Sequence, residues 1–131
     1  MTCARLLTVS SLALLAACAQ QQVPKHVALA NQRDCPLRLH NGQTLSLTLP
    51  SDPTTGYRWQ VKNAGQPVLR SLGPEVYSNP EDAGLVGAAG QSVWRFATQQ
   101  AGTGSLSLVY QQPWALEVTP LRSFDCAVSI D

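Results

Sequence analysis

Strict apolar–polar alternation, dense glycine and proline punctuation, and the lack of an amphipathic helical stripe predict an all-β fold for most of this 131-residue chain. Thr44-Leu45-Ser46-Leu47-Thr48-Leu49 alternates without a break, as a half-buried strand does. Nine glycines and nine prolines separate such runs. About seven short strands with regular turn signals indicate an antiparallel β-sandwich of immunoglobulin type.

The strands follow in order. Cys35 to His40 opens the domain, with Cys35, Leu37 and Leu39 on one face. Gln43 to Leu49 is the alternating run. Thr55 to Lys62 places Tyr57, Trp59 and Val61 on one side, and Trp59 suits the core tryptophan of such a sandwich. Val68 to Tyr77 is either one strand or two short ones broken near Gly73-Pro74. Gln91 to Thr98 carries Trp94 and Phe96 on one face. Gly104 to Gln111 alternates through Leu106, Leu108 and Tyr110. Leu121 to Ile130 closes the domain, with Phe124, Cys126, Val128 and Ile130 in register.

The N-terminus is a different kind of segment. Arg5 is the sole charge among the first 24 residues, and Leu6 to Ala17 is almost wholly apolar. The run is short for a bilayer span. A charged start, an apolar stretch and small residues before a break mark a secretory signal. Leu15-Ala16-Ala17-Cys18 resembles the bacterial lipobox, which implies a signal peptide over residues 1–17 and acylation of Cys18. Ala19, rather than aspartate, then implies the outer membrane, with the protein lipid-anchored in the cell envelope and facing the periplasm. Residues 19–34 are polar, with Gln20, Gln21, Gln22, Pro24 and Lys25, and read as a tether.

Charge narrows the partners. The whole chain carries 9 Lys and Arg against 8 Asp and Glu. Loss of Arg5 with the signal balances these, and the remaining charges are scattered. No basic stripe points to nucleic acid. The expected state is a monomer.

Cysteines Cys3 and Cys18 belong to the signal and the lipid site. Cys35 and Cys126 remain, each on the apolar face of a terminal strand, in a compartment where disulfides persist. A buried bridge between them is expected. It closes a loop of roughly 90 residues and stabilises by about 4–5 kcal/mol in the chain-entropy model. A catalytic or metal-binding thiol lacks support, since no Cys-x-x-Cys occurs and the histidines are only His26 and His40. No cofactor or metal is expected. Glu81 and Asp82 are adjacent and point apart, and no Ser–His–acid spacing occurs, so an enzyme is not expected.

Function concentrates in three loops. If successive strands alternate in direction, these loops share one end of the sandwich. The first, Pro50 to Gly56, holds Asp52-Pro53-Thr54-Thr55-Gly56, a stiff turn leading into Tyr57 and Trp59. Proline pre-sets φ, glycine supplies positive φ, and aspartate accepts local backbone hydrogen bonds. The second, Asn79 to Gly90, ends Gly87-Ala88-Ala89-Gly90 and permits close backbone approach. The third, Gln112-Pro113-Trp114-Ala115, offers a tryptophan of the kind that anchors interfaces.

These residues resemble the chagasin-type inhibitors of papain-like cysteine peptidases. The family pattern Asn-Pro-Thr-Thr-Gly-(Tyr/Phe)-x-Trp matches Asp52 to Trp59 except at Asp52. The Gly-x-Gly-Gly loop corresponds to Gly87-Ala88-Ala89-Gly90, with Ala89 in place of glycine. The Arg-Pro-Trp loop corresponds to Gln112-Pro113-Trp114, with Gln112 in place of arginine. The resemblance spans about Cys35 to Asp131. It implies an immunoglobulin-like sandwich whose three loops plug an enzyme cleft, reversibly and competitively. Thr54 and Thr55 would block the catalytic pair, Gly87 to Gly90 would lie along the cleft, and Pro113 and Trp114 would pack on the primed side. Asp52, Ala89 and Gln112 are expected to shift target range or affinity while the inhibitory mode is kept. A non-inhibitory envelope lipoprotein module using the same edge is the other reading; it leaves Pro53-Thr54-Thr55-Gly56 unexplained.

Overall fold

The computed structural model of the chain describes residues 23–79 and 90–131. Nine strands are present among these residues: β1 (His26–Leu29), β2 (Leu37–Leu39), β3 (Thr44–Ser51), β4 (Arg58–Ala64), β5 (Leu69–Ser71), β6 (Val76–Ser78), β7 (Gly90–Thr98), β8 (Gly102–Gln111) and β9 (Arg122–Ile130). They form two sheets. One has the order β1-β3-β7-β5, with β6 also paired to β7; the other has the order β2-β9-β8-β4.

The alternation read from the sequence sets the inner faces. Leu45, Leu47 and Leu49 of β3, with Trp94 and Phe96 of β7, line one sheet. Leu106, Leu108 and Tyr110 of β8, with Phe124, Cys126, Val128 and Ile130 of β9, line the other. Trp59 is in this core as expected. Val61 is not: it is 40% exposed, where edge strand β4 shifts register against β8 between Val61 and Asn63. A bulge adds a residue to one strand and re-aims the side chains beside it. The segment between Val68 and Tyr77 is two strands, β5 and β6, separated around Gly73 and Pro74.

Most pairings are antiparallel, but β1 lies parallel to β3 and β2 parallel to β9, both at sheet edges. The first of these corrects the reading of residues 19–34 as tether alone. His26 to Leu29 form a strand, and Leu29 is buried in the core. Its partners hold it there. Gln43 Nε2 donates to Pro24 O at 2.7 Å, and Thr44 N donates to Lys25 O at 2.8 Å. The His26 ring meets the hydroxyls of Thr44 and Ser46. The short alternation His26-Val27-Ala28-Leu29 was the only local trace of this strand.

Cys35 and Cys126 form the expected disulfide, with Cα atoms 5.3 Å apart across a sequence separation of 91. Cys35 sits just ahead of β2, so the bridge joins neighbouring strands of one sheet, beside the Leu37–Val128 pair. Cys126 is buried and Cys35 half-buried. The expected Cys18 site lies outside the described residues.

Registers fix strand direction. From β2 onward each successive strand or strand pair reverses, β5 and β6 running the same way. Ser51 faces Gly90, Ser78 faces Gln91, and Arg58 faces Gln111. The described ends flanking all three loops therefore gather at one pole. The chain enters β1 at the opposite pole, where His26 faces Thr44.

Reduction of the disulfide should lower unfolding stability by about 4–5 kcal/mol. Urea unfolding with and without reductant checks this, and an unchanged midpoint would contradict it.

Candidate functional site

The pole is organised around the segment between β3 and β4. Pro53–Thr55 form a single 3-10 turn with Asp52 as its N-cap. The Asp52 carboxylate accepts from Thr54 N at 3.2 Å and from Thr54 Oγ1 at 2.5 Å. Thr55 Oγ1 donates to Asp52 O at 2.7 Å, and Gly56 N donates to Pro53 O at 3.1 Å. Proline at the first helical position loses no hydrogen bond there. Gly56 closes the turn at φ +81°, a left-handed conformation open to glycine. Every polar residue type in the motif thus serves the turn itself.

Both threonine side chains are exposed. Their protons are committed to Asp52, which leaves the hydroxyl oxygens as acceptors toward a partner. Asp52 fits this role at least as well as asparagine, because a carboxylate accepts from the amide and the hydroxyl together.

Tyr110 mounts the turn on the sandwich. Asp52 N donates to the Tyr110 hydroxyl at 3.0 Å, and that hydroxyl lies 3.3 Å from Asp52 O, oriented to donate back. Trp59 Nε1 donates to Pro50 O at 2.9 Å. Tyr110 and Trp59 belong to one sheet, while Pro50 ends a strand of the other. Their rings lie 4.9 Å apart between centroids, and Tyr57 stacks on Tyr110 at 5.4 Å. This aromatic cluster is largely buried and leaves Tyr57 half-exposed at the surface.

The β8–β9 loop lies against the turn. Trp114 is 70% exposed, so it does not fold back into the core. Its six-membered ring nonetheless rests on Gly56, where any β-carbon would collide with it. Gly56 is therefore required twice, by its backbone angle and by the indole. Pro113 is exposed and Gln112 half-buried. The Gln112 amide reaches only to 3.5 Å from Thr55 O, long for a hydrogen bond.

Of the second loop, Gly87, Ala88 and Ala89 lie outside the described residues. Gly90 begins β7, and the Ser78 carbonyl and Tyr77 ring occupy the space a side chain would need. Close backbone approach, expected toward a partner, is here made within the protein by β6. Among the described residues, no group of His, Cys, Asp and Glu could hold a metal ion.

Two features escaped the sequence reading. Tyr110 read as one more inward strand residue, because its hydroxyl partner is 58 positions away. Val118 and Leu121, about 60% exposed, sit beyond the quoted Gln112-Pro113-Trp114 motif; Leu121 read as the first residue of the closing strand, which begins at Arg122 instead, and Val118 carried no signal of its own.

A family model described as Chagasin family peptidase inhibitor I42 matches residues 38–128, most of the chain. The chain belongs to the chagasin family of peptidase inhibitors. Members of this family are protease inhibitors, not enzymes. The chain is 32% identical over 87 residues to chagasin of Trypanosoma cruzi, covering 59% of this chain and 79% of that one. The fold resembles that of the cysteine protease inhibitor EhICP2 from Entamoeba histolytica, with a TM-score of 0.66 at 24% identity over 81% of this chain and 96% of that one. It also resembles PbICP-C, solved in complex with falcipain-2, with a TM-score of 0.51 at 15% identity, covering 82% of this chain and all of that one.

Tyr110→Phe removes both hydrogen bonds to Asp52 and keeps the ring. It should cost about 1–2 kcal/mol of stability. The turn should loosen, seen as an increase in amide exchange over the wild type at Asp52 and Thr54 that is larger than at Leu106, farther along β8. An equal increase at both places would contradict the anchoring role.

Proposed function

We propose that this protein is a reversible, competitive inhibitor of papain-like cysteine peptidases that fills the active-site cleft with the Asp52–Tyr57 turn and flanks it with the other two loops. The observation that carries this reading is the internal bracing of the turn and its contact with Trp114. A loop already held in its bound shape loses little entropy on docking. An interface tryptophan beside it supplies an anchor.

The turn is suited to obstruct a peptidase rather than to feed it. A scissile segment lies extended in the cleft so that its carbonyl meets the nucleophile. Residues Pro53–Thr55 are instead coiled in a 3-10 turn, and the Asp52 and Pro53 carbonyls already accept hydrogen bonds. The exposed threonine oxygens can accept from the imidazolium of a cysteine–histidine pair. A threonine hydroxyl offers the nucleophile no carbonyl to attack and so forms no acyl-enzyme, and binding remains non-covalent. Gly90 and the loop before it would lie along one side of the cleft, with Pro113 and Trp114 on the other.

Localisation follows from the lipobox-like Leu15-Ala16-Ala17-Cys18. Acylation of Cys18 would tether the protein to the envelope, in the outer membrane facing the periplasm, as a monomer. The described chain enters the fold at the pole opposite the turn. An N-terminal anchor would therefore leave the inhibitory loops pointing away from the lipid. Cys18→Ser should move the protein from the membrane fraction to the soluble fraction; retention in membranes would oppose the anchor.

The deciding measurement is inhibition of a panel of papain-like peptidases by the full chain, since a fragment beginning at Cys35 lacks β1. Lines of reciprocal rate should intersect as for competitive inhibition, with activity recovered on dilution. Trp114→Ala should weaken binding by about 2 kcal/mol or more. Thr55→Trp should abolish inhibition with the fold intact by circular dichroism. Absence of inhibition at micromolar concentration would favour a non-inhibitory binding module.

A further inference from the structure

A cleft of about 330 Å³ opens beside the turn. Asp52 and Thr55 of the turn line it together with Pro50, Tyr57, Tyr110 and Leu121. Val118 lies on the far side of Tyr57, against Gln112 and Ala115. Val118 and Leu121 are 60% and 59% exposed. Neither supports the core, and neither belongs to the loop motifs that mark the family. Isolated exposed aliphatics need no explanation, but these two share lined hollows with the half-buried ring of Tyr57, Leu121 in the larger cleft and Val118 in a smaller one.

The position of the cleft selects its occupant. Its wall is the Asp52–Thr55 turn itself, so a partner that engages the exposed threonines must also cover the cleft mouth. Besides its aromatic and aliphatic residues, the lining includes Ser51, Thr55, Asp52 and Arg122. The volume lies at the low end for small-molecule pockets and suits one large inserted side chain.

We infer that the cleft takes an apolar side chain projecting from the wall of the bound peptidase's active-site groove, and that Leu121 within it and Val118 in the neighbouring hollow, which shares Tyr57, are specificity-determining contacts of this face. This rests on the inhibitory reading above. Peptidases that present an aliphatic or aromatic side chain at that place bind well. Those that present a charge gain less, because it would lose water against Tyr57 and Leu121 with only Asp52 or Arg122, according to its sign, to offset the loss. Discrimination by this chain therefore comes partly from a site beside the turn.

The test uses the full chain carrying Val118→Ser, Leu121→Ser or both, with inhibition constants measured across the same panel. Exposed side chains should leave the melting temperature unchanged, which separates binding from folding. The expected result is a loss of roughly tenfold or more for the double variant against some peptidases and little against others, a change in ranking. Wild-type inhibition matched by the double variant within twofold on every peptidase overturns this inference and leaves the inhibitory reading standing. A wild type that inhibits none of them overturns the inhibitory reading and this inference with it. Loss of wild-type self-association, or of binding to lipid vesicles, in the double variant without any change in inhibition assigns the surface to another occupant and also overturns it.

Discussion

The hydroxyl of Tyr110 is the contact on which the working end of this protein depends. It receives the Asp52 amide and faces the Asp52 carbonyl, at the point where the chain leaves one sheet for the other. Two sheets packed face to face hold each other mainly by apolar contact, which is non-directional. At this pole the contact becomes directional. Trp59 adds a second tie through Pro50, and both ties are part-buried beside the stacked rings. Hydrogen bonds at least partly shielded from water are stronger than exposed ones and fix a single geometry.

Preorganisation follows from that anchor. The turn begins at a residue whose backbone is held at both its donor and its acceptor. Asp52 then uses its side chain to hold Thr54, and its carbonyl to hold Thr55. Gly56 ends the turn beneath the indole of Trp114. The first and third loops thus form one surface before any partner arrives. The braced segment lies within the residues that the chagasin family model matches. The departure at Asp52 keeps the internal bracing, both Thr54 contacts being made to one oxygen, and places a negative charge beside the exposed threonines.

Much of this was legible in the residues. Period-two alternation gave the faces of β3, β7, β8 and β9, because each is half-buried and its pattern survives in any context. The Cys35–Cys126 bridge was legible from the faces the cysteines occupy. Strand β1 was not, because four residues among polar neighbours form a strand only when an edge is present to pair with. Val61 read as inward, and the bulge beside it is a property of pairing with β8, not of its own sequence. That β6 also needs a glycine at position 90 follows from the Ser78–Gln91 register, which the loop's own residues do not show.

By itself the sequence determined the sandwich, the disulfide, the stiff turn and the family. These depend on local signals: alternation, positive φ at a glycine, proline's fixed angle and short motifs read within a few residues. Only the tertiary structure decided how the turn is mounted, which glycine is shaped by the tryptophan, and which loop aliphatics border a cleft. Those facts join Asp52 to Tyr110, Gly56 to Trp114 and Thr55 to Leu121, residues separated by scores of positions. No local pattern encodes such pairs, because each arises where two sheets and two loops converge on one pole.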